Sequence, residues 1–164
     1  MGGRPEVILE GGDSIQGPWL EYDFLYKPGN VSSAPQWLLP HQPRLDWQMW
    51  FAALGSYQHN PWLLSLVYRL LGQSWSWLSL HHVNLPRIVE GRQEVLDLMS
   101  PTSPFANRAP PKFIRGKLYK YHFETDKPDN WWRREYQVRG ASLTNSQDIS
   151  SVIPGRVFAS AVSR

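Results

Sequence analysis

The run "WWRRE" sets Trp131, Trp132, Arg133 and Arg134 side by side. A Trp ring is a flat apolar platform and a guanidinium is a fork of donors. An exposed pair of this kind recognises protein or stacks on carbohydrate. Neighbours on a strand point to opposite faces, which predicts one core Trp and one exposed Trp. A Trp that only covers the sheet edge is the competing structural reading. A second pair stands in "HQPRLDWQMWFAALG", where Arg44 and Asp46 open a nearly all-apolar segment. Asp46 is placed to cap a helix and to favour its positive end. Arg44 is then placed to pair with a carboxylate or with loop carbonyls. Such a pair fixes geometry more than it adds stability.

Other constellations point away from catalysis. There is no Cys, so disulfides, zinc thiolates and cysteine nucleophiles are excluded. No G-x-S-x-G is present, and Ser, His and Asp show no family spacing. His81-His82 would point to opposite sides of a strand with no acidic ligand nearby, so no metal site is expected. His41 and His59 fall in loops at two helix starts and read as solvated or capping. Glu6, Glu10, Glu21 and Asp23 are expected on the outward faces of strands. The reading is of a chain without enzymatic activity, cofactor or metal.

Residues 108–139 hold nine Lys/Arg against four Asp/Glu, a net of +5, leaving −2 of the chain's +3 for the rest. Basic residues interleaved with aromatics suit a single-stranded nucleic-acid platform. The glycine-aromatic consensus of RNA-binding sheets is absent, so a sheet with one aromatic and one solvated basic face is the preferred reading and nucleic acid is not expected. Asn30-Val31-Ser32 is an N-glycosylation sequon, meaningful only in the lumen of the secretory pathway.

The elements that must position these residues follow from periodicity. The 164 residues allow one domain with a sizeable core, and nine Trp imply a dense core or a binding surface. "EVILE" at 6–10 reads as a strand. Leu20, Tyr22, Phe24 and Tyr26 alternate with Glu21, Asp23 and Leu25 and predict a second. From Asp46 to Leu54, one stripe is Trp47, Trp50, Phe51 and Leu54 and another is Leu45, Met49 and Ala53. Two stripes predict a helix buried on most sides. Asn60 as N-cap, Pro61 and Gly72 frame a helix whose buried face holds Trp62, Leu63, Leu66, Val67, Leu70 and Leu71. A short loop joins the two helices, predicting a hairpin. "QEVLDLM" at 93–99 gives one or two helical turns. Tyr119, Tyr121 and Phe123 alternate with Lys120, His122 and Glu124 in a strand, and "WWRREYQ" reads as its partner. The predicted fold class is α+β: an antiparallel, sandwich-like sheet with a helical hairpin inserted between its two strand pairs. No signal-peptide core is present in "MGGRPEVILEGG", and "PWLLSLVYRLLG" is too short to span a bilayer.

The runs "PHQPRLDWQMWFAALG", "NPWLLSLVYRLLG", "PPKFIRGKLYKYHF" and "WWRRE", with "EVILEG" and "WLEYDFLYKPG" before them, resemble the C-terminal domain of the lipase maturation factor family. The blocks cover most of residues 5–136. The resemblance implies a non-enzymatic folding factor that binds client secreted lipases such as lipoprotein lipase. It also implies an endoplasmic-reticulum membrane location, with the domain on the lumenal side. Trp131, Trp132, Arg133 and Arg134 are the client-binding candidates, and Arg44 and Asp46 the scaffold. A carbohydrate- or glycoprotein-binding β-module is the alternative. Two stretches depart from the family pattern. Residues 73–92 separate "RLLG" from "QEVLDLM", which nearly adjoin in the family, and so read as an atypical insert in a domain of 1–136. After "WWRRE" an aromatic-Pro ending is replaced by "YQVRGASLTNSQDISS", and 137–164 reads as a divergent, disordered tail.

Overall fold

In a computed structural model, residues 2–37, 40–41, 43–55, 59–72 and 92–137 are described. Strand β1, Arg4–Gly12, runs through the predicted 6–10 and extends it at both ends. It pairs antiparallel along its whole length with β3, Phe113–Phe123, in a register from Arg4↔Tyr121 to Gly12↔Phe113. β4, Trp132–Tyr136, lies antiparallel on the far side of β3. β2, Leu20–Glu21, lies on the far side of β1. The four strands form one sheet in the order β2-β1-β3-β4.

The strand predicted over 20–26 leaves the ladder after Glu21. Its alternation survives as burial at Tyr22 and Phe24 but ends there: Leu20 is half-buried, and Tyr26, expected on the same face, is exposed. The segment's partners lie in the loop after the helices. Phe24 forms an isolated bridge with Met99, the Leu25 N–H donates to the Leu98 carbonyl, and the Tyr22 ring stacks on Phe105 at 4.2 Å. A period of two requires an extended chain with one buried face, not a strand on each side.

The helices are inserted between β2 and β3, as the α+β reading has it. They are α1, Arg44–Leu54, α2, Pro61–Leu70, and α3, Arg92–Leu96. α1 packs chiefly on β1, and α2 on α3. α2 carries the predicted start and stop. Asn60 precedes Pro61, and Gly72 follows with φ +66. A Cβ there would also stand 3.0 Å from the Pro110 ring, a tight approach that adds to the preference of this φ for glycine. α2 is buried nearly all round: Leu63, Leu64, Leu66, Val67, Tyr68 and Leu70 are in the core.

α1 departs from expectation. Met49, Ala52 and Ala53 face the core, but Trp50, Phe51 and Leu54 are 37%, 51% and 53% exposed. The second stripe is buried and the first faces outward. Small side chains at 52 and 53 let the helix approach β1 closely. The bulky stripe could not, and its rings pack on one another instead, Trp50 on Phe51 at 5.3 Å and Trp47 edge-on to Phe51 at 5.7 Å.

Candidate functional site

Residues paired across an antiparallel ladder share a face. Arg4, Glu6, Ile8 and Glu10 of β1 therefore lie with Arg115, Lys117, Tyr119 and Tyr121 of β3, and these with Trp132, Arg134 and Tyr136 of β4. The opposite face carries Leu9 and Ile114 into the core, with Val7 and Leu20 packed at its margin.

The first face is charged and yet largely covered. Glu6 is 0% exposed and Glu10 4%, which corrects their expected outward position. Arg4 Nε donates to Glu6 Oε1 at 2.6 Å, and Arg4 Nη2 donates to Asp46 Oδ1 at 2.5 Å and to the Asp46 carbonyl at 3.0 Å. Lys27 Nζ lies 3.5 Å from Glu6 Oε2. Burial raises the Glu6 carboxyl above its usual range, with Lys27 and Arg4 opposing the rise. Burial likewise lowers the Lys27 ammonium, with Glu6 opposing. The four charges clamp β1, the 23–29 loop and the first turn of α1 together.

This clamp revises the reading of the helix start. Pro43, not Asp46, is the N-cap of α1, and no side chain caps it. Asp46 is the third helical residue and is buried. Its cationic partner is Arg4, 42 positions away, while Arg44 is exposed.

Further along the same face, Arg115 and Lys117 both pair with Glu10, at 2.5 and 2.9 Å, and Arg115 also lies over the Trp19 ring at 4.1 Å. Arg134 makes a bidentate pair with Glu21 at 2.7 and 2.8 Å, lies over the Tyr119 ring, and donates to the Tyr121 hydroxyl at 3.3 Å. Tyr121 in turn donates to the Gly29 carbonyl at 2.7 Å. Burial pushes the Tyr121 hydroxyl up to about 12. Much of the excess charge of the C-terminal strands is thus matched by acids of β1 and β2.

The "WWRRE" residues separate into two kinds. Trp131 lies just before β4, with its backbone N–H on the Val31 carbonyl, and is 52% exposed. Arg133 is exposed, 3.9 Å from Glu135. Trp132 is half-buried, donates Nε1–H to the Ser33 carbonyl and stacks on Phe123 at 4.8 Å. Arg134 is half-buried and committed to Glu21. The expected alternation of one inner and one outer Trp is present, although Trp131 lies outside the strand. Sequence reasoning did not single out Phe123, 68% exposed and stacked on Trp132, or the outward stripe of α1. Its signal was present in both cases as apolar periodicity, which was assigned to buried faces.

Asn30 is exposed, and its Oδ1 accepts the Ser32 N–H at 3.1 Å. Among the described residues no group of three His, Asp or Glu could hold a metal ion, and no helix is long and apolar enough to cross a membrane. His81-His82, most of the expected insert at 73–92, and residues 138–164 of the expected tail lie outside the described residues.

Comparison with known proteins places this geometry. The profile of the lipase maturation factor C-terminal domain matches residues 1–86 and 77–141, two segments that overlap within the 73–92 stretch. Lipase maturation factor 2 of Xenopus tropicalis is 44% identical over 144 residues, covering 83% of this chain and 18% of that protein. Lipase maturation factor 2 of Homo sapiens is 44% identical over 141 residues, covering 83% and 17%. Lipase maturation factor 1 of Homo sapiens is 35% identical over 142 residues, covering 80% and 22%. The chain thus spans about a fifth of the length of these relatives. No solved structure matches. With the profile spanning the sheet, the clamp and the helices between them, the chain belongs to the lipase maturation factor family.

Proposed function

We propose that this chain is the client-binding part of a lipase maturation factor, a non-catalytic domain that holds a secreted lipase in the lumen of the endoplasmic reticulum while it matures. The reading is supported by family membership. One observation supports a surface at this end of the sheet: Trp131 is half-exposed next to exposed Arg133, and Phe123, on the other face with Trp132, is exposed too. Apolar rings held on a sheet end lose little conformational entropy on binding, and a neighbouring Arg adds forked donors. Trp132 and Arg134 support this surface from beneath, through the Phe123 stack and the Glu21 pair.

The test is co-expression of the full chain, led by a signal peptide, with lipoprotein lipase, followed by capture on the chain. Trp131→Ala should weaken capture by about 2 kcal/mol, roughly thirtyfold, as for a central aromatic anchor. Arg133→Ala should weaken it less. Capture should persist after enzymatic deglycosylation of the lipase. Capture that vanishes on deglycosylation would favour a carbohydrate-binding module. Capture indifferent to both substitutions would remove this surface from the interface.

A further inference from the structure

Phe51 and Leu54 stand exposed on the outer face of α1, with the rings of Trp47 and Trp50 packed on Phe51. Arg44 is exposed too, and 44, 47, 51 and 54 follow one another at steps of three, four and three. That spacing keeps them on one helix face and is the seam along which two helices pair. Charge says which helix fits. Arg44 and Asp46 are the only Asp, Glu, Lys or Arg between 28 and 60. Asp46 is buried on Arg4, so the stripe presents a single charge, Arg44, in its first turn. A cation there opposes the positive end of its own helix, and among the described residues Arg44 has no ion pair. The last turn, where a cation is favoured, holds no basic side chain. Each end of α1 offers what the other lacks, and a second α1 laid antiparallel supplies both.

We propose that the outer stripe of α1 pairs antiparallel with the same stripe of a second copy of this chain, forming a twofold dimer. Phe51 lies near the middle of the stripe, so the axis passes beside it and Phe51 meets Phe51. Trp47 of each copy meets Leu54 of the other, and each Arg44 reaches the C-terminal end of the facing helix. The contact is one helix pair, smaller than a standard interface, so the dimer is weak, with a Kd of about 10–100 μM. The dilute chain is monomeric. The exposed ring stripe and the placement of its one charge carry the assignment, which does not depend on client binding.

Sedimentation equilibrium of the full chain, at concentrations spanning that Kd, tests it. A monomer-dimer equilibrium is expected. Phe51→Glu and Phe51→Arg should each weaken dimerisation by at least about tenfold, because a charge beside the axis faces its own copy. Mixed in equal amounts, the two variants should recover dimers, since opposite charges then meet. Arg44→Glu should weaken the dimer by at least about threefold. That change favours its own helix start, so the loss would not be one of folding. Thermal unfolding of the dilute variants confirms that each folds, and the unaltered chain is tested without any variant. Three results would each overturn the proposal: a chain that stays monomeric, dimers indifferent to Phe51, or a mixture of the two charged variants that stays monomeric. Association that grows beyond the dimer would overturn it too, because a twofold contact closes on itself. A monomeric chain whose binding to phosphatidylcholine vesicles depends on Phe51 would give the stripe to a lipid surface. A monomeric chain whose capture of lipoprotein lipase depends on Phe51 would give it to the client.

Discussion

Glu6 is cut off from water beside Arg4 and Lys27, whose charges oppose the rise that burial gives its carboxyl. Such a group adds little net stability when paired, but removing its partner leaves an uncompensated buried charge. Arg4→Met leaves Glu6 with Lys27 alone and takes from Asp46 its Arg4 pair, and should cost up to about 3–5 kcal/mol in urea unfolding. A cost below about 1 kcal/mol would mean that water or another cation reaches them. Tyr121 gives a pH signature. Burial pushes its hydroxyl up to about 12, while the unfolded chain ionises near 10. Between those values the folded state holds a proton that the unfolded state has lost, so stability falls as pH rises. Over two units the loss is roughly 2.7 kcal/mol, and Tyr121→Phe should remove that part of the alkaline decline. Equal alkaline slopes for both proteins would show that the Tyr121 hydroxyl titrates normally. None of these pairings was legible in the sequence. The partner of Asp46 is 42 positions away and that of Glu10 is 105 away, and an alternating strand looks the same whether its charged face meets water or a covering loop.

The elements themselves were far more legible, because their signals are local. Pro61 and Gly72 bracket α2 where its caps predict, alternation found β3, and the β-like runs "EVILE" and "WWRREYQ" found β1 and β4. α1 shows where local signals stop. Both of its stripes are apolar, so hydrophobicity cannot choose between them; the choice falls to how closely each can approach β1. Met49→Ala should therefore cost about 2–5 kcal/mol, as for a core truncation. Phe51→Ser, on the larger and more apolar side chain, should change stability by less than about 0.5 kcal/mol. Chemical denaturation of the two variants decides it. The reverse order would put the Trp-Phe stripe in the core and Met49 at the surface. The same logic explains why two of the four "WWRRE" residues turned inward. Arg134 is drawn to Glu21 on a strand at the opposite edge of the sheet, and Trp132 to Ser33 in a loop that carries no periodic pattern.

Across the whole molecule, the turn around Asn30 lies against the same end of the sheet as the proposed client surface. The Val31 carbonyl accepts the N–H groups of both Trp131 and Trp132, and Ser32 Oγ bonds Asn130 Oδ1 at 3.1 Å. Asn30 itself is exposed, and its Oδ1, not its Nδ2, holds the turn by accepting the Ser32 N–H. A glycan attaches to Nδ2 and leaves Oδ1 free to keep that bond, so the turn and the modification are compatible. Carried into the endoplasmic reticulum by a signal peptide, the chain should gain one Asn-linked glycan. A glycosidase-sensitive mobility shift reads it, and Asn30→Gln should abolish the shift without lowering the yield of folded protein. No shift, in cells that glycosylate a control protein, would mean that this turn is inaccessible when the enzyme meets it. It would then be covered before folding completes or by a partner, and the neighbouring Trp131 surface would have to be covered with it.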